Sequence, residues 1–382
     1  MSLSRNDSQS AINGTSSVSS ARSIERTQWR KYHTRCGHGF AAEDTNALND
    51  RFHGRKVEMT GLSNEPNGAD RVVNGVPIQT KYCASAHESV NAAFGQNGNY
   101  RYPGQRLEVP SDQYERAIGV MEEKIRSGKV PGVTDPADAI KILKKGHVTY
   151  SEASNIGRAG NIDSIKFDAQ TGAVTCTIAA GLSFVLRYTA ERKAGSSISE
   201  SLDGAVSDSI VTGGKVLGTH IATQQFLRTQ AGRNVAAIAT KASKRVIESV
   251  CSTKVGDKII SRTVVGMTGA GKGMAVSAAK VAGTKLLRTN IITGAACMVV
   301  TTVPDIVQSC RGKKTWQETG INAATNSAGI SGGMVGTWIG AAIGSIIPGP
   351  GTAIGGFVGG LVGGCIASSG VRTLFNKRTK GQ

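Results

Sequence analysis

The sharpest alternation of apolar and polar positions in the chain lies between Gly68 and Cys83, in GADRVVNGVPIQTKYC. Val72 and Val73 lead into Asn74-Gly75, and Val76, Ile78 and Tyr82 follow. Asn-Gly supplies the positive φ angles of a two-residue turn, so the pattern predicts a short β-hairpin. Pro77 lacks an amide donor, which counts against a central position for the first residues of the second strand. Upstream, Gly37–Asn49 fits a short helix, Lys56–Thr60 alternates as a strand, and Ser63–Gly68 is a polar loop. Downstream, Ser85–Phe94 has helical character and Arg106–Val109 reads as a strand. Ser111-Asp112 opens a helix through Ile125, with Tyr114, Ile118, Met121 and Ile125 on one stripe. Asp135–Lys145 reads as one more helix. This order predicts an α/β domain over residues 29–160, preceded by a disordered polar tail over residues 1–28 without a signal peptide.

The pattern then changes. Ile162–Arg187 reads as a second hairpin, with Ile165 and Phe167 before Gln170-Thr171-Gly172 and Val174 and Cys176 after it. With it, residues 161–289 form a linker region rich in Ala, Gly, Ser, Thr and Lys, in which Thr223–Val250 is a long helical run. Between Glu318 and Arg372 there is no charged residue. Ala328–Ile347 and Thr352–Val371 have membrane-spanning length, and Pro348-Gly349-Pro350-Gly351 breaks the helix between them. Gly332, Gly336, Gly340 and Gly344 recur on one run, and Gly355, Gly359 and Gly363 on the other. Such small-xxx-small spacing lets two helices pack backbone to backbone. Residues 290–373 are therefore expected to form a membrane-associated glycine-rich region, meeting lipid through residues 328–371. A buried hairpin in a soluble protein, or one that switches between the two states, follows from the same pattern. Asn290–Val303 is apolar but short for a span. Arg311, Lys313 and Lys314 precede the hairpin, and Arg372 and the basic tail of residues 374–382 follow it. By the positive-inside rule, the N-terminal domain and the C-terminus both face the cytoplasm, at a bacterial inner membrane.

Charge adds a partner class. Lys and Arg number 45 against 27 Asp and Glu, a net +18, which favours a polyanion: nucleic acid or anionic lipid. The seven cysteines are odd in number and none are closely spaced, so reduced thiols are expected. His33, Cys36 and His38 lack a second ligand pair at zinc-finger spacing, and His53, Cys83 and His87 could join them only through the fold. Gly266–Gly273 looks like a phosphate loop after a strand over Ile259–Val265, but Gly273 stands where Ser or Thr would hold Mg²⁺.

The hairpin carries the chemistry. Asp70 lies at the start of its first strand, and Gln79 and Lys81, two residues apart on the second, share a face. Glu43 lies on the preceding helix. This order resembles the PD-(D/E)XK nuclease superfamily, the restriction-endonuclease-like fold, whose core runs helix, β-meander, helix, strand. The resemblance covers residues 37–125. It implies that Asp70, Gln79 and Glu43 hold Mg²⁺ or Mn²⁺, and that Lys81 orients the attacking water or stabilises the transition state. Gln79 stands where many members carry Glu, which removes one charge from the metal site. The implied activity is hydrolysis of phosphodiester bonds, DNA more than RNA, by a membrane-tethered nuclease that meets incoming phage or foreign DNA. Self-association is left open. The alternative is a membrane-active or pore-forming protein whose N-terminal domain binds a partner without catalysis.

Overall fold

The computed structural model describes residues 32, 34, 36–60, 67–268, 276–345 and 350–380. The predicted N-terminal tail, most of the Ser63–Gly68 loop, His33, residues 269–273 of the phosphate-loop stretch and residues 348 and 349 of the Pro348–Gly351 breaker lie outside the described residues. The chain divides into two compact units, Arg26–Phe167 and a helical unit from Asp168 to the C-terminus.

The first unit is mixed α/β. Helix α1 (Gly37–Phe52) precedes β1 (Val57–Met59), β2 (Arg71–Val73) and β3 (Val76–Thr80). Then come α2 (Ala86–Asn91), β4 (Arg106–Val109), α3 (Tyr114–Arg126), a short α4 (Ala139–Ile142), β5 (Leu143–Lys145) and α5 (Tyr150–Ile156). The strands form one sheet in the order β1-β2-β3-β4-β5. The first three make an antiparallel meander, and β4 and β5 add to β3 in parallel. Asn74 and Gly75 have φ of 49° and 84°, the left-handed pair that a tight hairpin turn requires. Pairing of β3 with β4 begins at Ile78, so Pro77 sits where only β2 is beside it and its missing donor costs nothing. The expected helix over Asp135–Lys145 is a correction. It is a single 3₁₀ turn and α4, after which Leu143 enters the sheet beside Leu107.

Strand alternation divides the sheet's side chains between two layers. Leu107, Val109 and Leu143 point to one face and pack with Val90, Ala117, Met121 and Ile125 of α2 and α3. Met121 and Ile125 of the expected α3 stripe are buried there, with Tyr114 and Ile118 at its margin. Arg71, Thr80, Tyr82 and Glu108 point to the other face, which α1 and α5 cover through Ala42 and Ala153.

The second unit is entirely helical among the described residues. Ile162–Lys193 (α6) is one continuous helix in place of the hairpin expected within Ile162–Arg187, and its first residues belong to the first unit. Its buried positions Ser164, Phe167, Asp168 and Gly172 recur at helical spacing. Then follow α7 (Ile198–Arg228), α8 (Gln230–Cys251), α9 (Lys254–Thr268), α10 (Val276–Cys310), α11 (Trp316–Gly344) and α12 (Pro350–Lys380). The run predicted over Thr223–Val250 is broken at Thr229, whose side chain caps α8 by accepting from the Gly232 amide. The strand expected over Ile259–Val265 lies within α9.

Among the described residues two helices are long and apolar enough to cross a membrane: Gly283–Cys310 within α10 and Val358–Phe375 within α12. The first corrects the reading of Asn290–Val303 as too short, because helix continues on both sides of that stretch. α11 and α12 pack as the expected hairpin, but α11, which holds most of the expected span Ala328–Ile347, is not among the helices apolar enough to cross. A Cβ placed at Gly336 would collide with the Gly359 carbonyl, one at Gly340 with Gly355, and one at Gly332 with Gly363. The glycines thus pair across the hairpin, with Val335, Ile339, Val358 and Val362 facing outward.

Candidate active site

Asp70 ends the loop before β2, and its backbone continues the ladder: its amide donates to the Ile78 carbonyl and its carbonyl accepts from Thr60. Antiparallel register carries Asp70 opposite Gln79. The Gln79 Nε2 donates to Asp70 Oδ2 at 2.8 Å, and the Thr80 amide donates to the same oxygen at 2.7 Å. Oδ1 receives no hydrogen bond among the described residues. Gln79 is only 4% exposed, yet its Oε1 is buried without a hydrogen-bond partner. A buried amide oxygen left unpaired is unfavourable, and Asn91 Oδ1, Gln105 Oε1 and Asn290 Oδ1 share that condition elsewhere in the chain.

Lys81 follows on the same side of β3, with its Nζ 5.4 Å from the centre of the Tyr102 ring. Burial raises the Asp70 carboxyl above its ordinary range. The Thr80 amide, the Lys81 and Arg71 charges and Gln79 pull the other way without cancelling it. Asp70, Gln79 and Lys81 therefore share one environment, as the spacing predicts. Their face of the sheet is the one that packs on α2 and α3.

Glu43 is half-buried on α1. It falls on the same stripe as Asn46 and Asp50, one and two turns on. That stripe addresses the opposite face of the sheet. Asn46 Nδ2 donates to Glu108 Oε2 at 2.8 Å, and Asp50 pairs with Arg71 at 3.1 Å. The α1 register thus sets Glu43 over the layer that lacks Asp70 and Gln79.

That layer holds a charge network that sequence reasoning missed. Arg71 is fully buried and grips both Glu108 oxygens, with Nη1 at 2.8 Å from Oε2. Lys144 reaches Glu108 Oε1, His147 lies 3.0 Å from Asp50, and Arg55 lies 2.7 Å from it. Burial pushes both acids up, but the cations outweigh it and hold Asp50 and Glu108 below the usual carboxylate range. The one signal in the sequence was strict alternation, Arg71 after Asp70 and Thr80 after Gln79.

Two of the histidines considered for zinc have other partners. His38 hydrogen-bonds the Tyr82 carbonyl at 2.9 Å, His53 stacks on His147, and Cys36 is exposed. Among the described residues no group of three His, Cys, Asp or Glu is placed to hold a metal ion. A cation beside Asp70 would therefore have one carboxylate and the Gln79 amide oxygen, with water for the rest. Mg²⁺ accepts such a set, since it takes hard oxygen ligands and keeps several waters. The orphaned Oε1 fits that role.

Residues 20–126 match the model of the YeeR C-terminal domain family, a stretch that contains Glu43, Asp70, Gln79 and Lys81. Over 99 residues the chain is 54% identical to the inner membrane protein YeeR of Escherichia coli strain K12. The similar stretch is 25% of this chain and 19% of that protein, so the chain spans about a fifth of its relative's length. No solved structure matches.

Proposed function

We propose that this chain is a membrane-attached, metal-dependent phosphodiesterase acting on nucleic acid, with DNA as the first substrate to test. The observation that carries the reading is the buried, unpartnered Gln79 Oε1 beside the Asp70 carboxylate. The order helix, antiparallel meander, helix, parallel strand supports it, as does the resemblance of Asp70, Gln79 and Lys81 to the PD-(D/E)XK motif. Net charge favours a polyanionic substrate.

Asp70 and Gln79 would hold Mg²⁺ or Mn²⁺, which supplies Lewis-acid charge and lowers the pKa of a bound water. Asp70 acts as its anion, and its raised pKa makes that role depend on pH. Lys81 places a positive charge beside the phosphate oxygens, where negative charge builds during displacement. Buried Leu107 and the α3 core beneath the site fix the strands that carry these groups.

Attachment to the bacterial inner membrane rests on the name of the YeeR relative and on the two apolar helices. A site held at the inner face would meet DNA as it enters, which suits defence against phage. The test is cleavage of supercoiled plasmid, linear DNA and RNA by purified protein with Mg²⁺, Mn²⁺ or chelator. Metal-dependent cleavage that vanishes in Lys81→Ala supports the reading, and intact substrate under every condition overturns it.

The interlocked glycine hairpin favours a second reading, a membrane-active protein without catalysis. Dye leakage from vesicles in the absence of any cleavage would select it.

A further inference from the structure

We propose that the exposed cationic face of α9, continued by α8, is a docking surface for anionic phospholipid headgroups at the entry of the α10 span. The proposal rests on the membrane reading above and adds a lipid class and a surface to it.

Lys254, Lys258 and Arg262 recur every four residues along α9, and all three are exposed. They share one side of the helix. Lys241, Lys244 and Arg245 are exposed on α8. None of these six cations forms an ion pair among the described residues. Across residues 230–262 the acids are Glu248 and Asp257 alone. Large aliphatic side chains lie among the cations: Ile238 and Val255 are each 69% exposed, and Val246 is 48%. Cations interleaved with exposed aliphatics suit an interface in which headgroups meet the charges and side chains enter between them.

Packing sets the depth of this surface. Ile260 of α9 is buried against Leu286 of α10 and Trp338 of α11, with Val250 and Cys251 of α8 at the margin. The Thr263 hydroxyl donates to the Trp338 carbonyl at 3.2 Å. Leu286 lies in the first turn of the apolar stretch Gly283–Cys310. The α9 cations are therefore held at the level where that stretch begins, which is the headgroup level if it spans. A cluster of four to eight Lys and Arg beside a span attracts anionic lipid, each contributing about 1 kcal/mol near the surface. Nucleic acid would also welcome the charge, but it has no use for Ile238, Val246 and Val255.

The test is flotation of the full-length protein, transferred from detergent to vesicles of phosphatidylcholine alone or with phosphatidylglycerol. Wild type is expected to prefer the anionic vesicles, less so at high salt. The variant Lys254→Gln/Lys258→Gln/Arg262→Gln should lose that preference by about fivefold per cation removed. Lys254→Arg/Lys258→Arg should retain it, which guards against a folding artefact. Arg116→Gln/Arg126→Gln/Lys129→Gln removes equal charge from the α/β unit and should leave the preference intact. A preference that survives the α9 substitutions overturns the proposal, as does equal loss in the α/β variant. Loss of plasmid binding with an unchanged lipid preference would assign the face to nucleic acid instead. Wild type that floats with neither vesicle overturns this surface and membrane attachment together.

Discussion

Asp70 and Arg71 are consecutive residues whose side chains leave the chain on opposite faces of the sheet. Asp70 joins Gln79 on the α3 side, while Arg71 joins Glu108 and Asp50 on the α1 side. One backbone step separates the proposed reactive carboxylate from a structural ion network, and substitutions at the two positions should have opposite consequences.

Arg71→Met should destabilise the α/β unit by about 3–5 kcal/mol, because it leaves two buried carboxylates short of their main cation. Urea denaturation of the purified protein measures this. A loss below about 1 kcal/mol would mean that Lys144 and His147 suffice to hold Glu108 and Asp50.

Asp70→Asn should abolish cleavage and raise the melting temperature of metal-free protein at neutral pH. The Asp70 pKa is raised by burial, so the folded state binds the proton more tightly than the unfolded state. Its contribution to stability is full below the ordinary carboxylate value and is lost as pH rises through the folded pKa. Asn, which carries no charge, escapes that loss. A melting temperature that falls at pH 7 would assign Asp70 a structural role.

Gln79→Glu should make stability depend on metal. Without a cation the new carboxylate faces Asp70 and replaces the donor that Nε2 supplies, so the protein weakens. With Mg²⁺ two carboxylates bind more tightly than one, and the melting temperature should rise above that of wild type under the same conditions. Thermal melts with and without Mg²⁺ decide it; identical shifts in variant and wild type would remove Gln79 from the ligand set.

Gly340→Arg or Gly359→Arg should open the α11–α12 hairpin. Either side chain would strike the backbone of the facing helix, where only a small residue lets the two helices touch. Membrane sedimentation of the full-length variants should fall, while plasmid cleavage stays near the wild-type rate. Cells carrying the variant should lose protection from phage if placement at the membrane is part of the mechanism; full protection by cytosolic protein would exclude it.

In the helical unit, His220 should make stability fall in acid. It is buried beside Thr171, and burial with the Arg228 charge lowers its pKa from 6.5 to about 4. The neutral ring therefore stabilises fully above about pH 6.5, and the contribution is lost as pH falls through about 4. His220→Gln should flatten the stability profile over that window. Equal slopes in variant and wild type would show that the ring already carries its proton when folded.

Local pattern by itself determined the Asn74-Gly75 hairpin, the α3 core stripe and the glycine pairing of α11 with α12. In each the information lies within a few residues: a turn that needs positive φ, a helical period, or a side chain small enough for two backbones to touch. It also brought Gln79 and Lys81 to one face by strand alternation, and the hairpin register set by the Asn74-Gly75 turn added Asp70. Only the tertiary structure decided that Glu43 lies over the opposite layer, since the rotation of α1 is set by Asn46 and Asp50 reaching Glu108 and Arg71. It decided likewise that Ile162–Arg187 is helical. The buried positions Ser164, Asp168 and Gly172 keep a helical period, but they are polar or small and leave no trace in hydrophobicity. Asp168 is tolerated there because Arg228, sixty residues on, closes a two-bond pair with it, and no local pattern can anticipate a partner that the fold alone supplies.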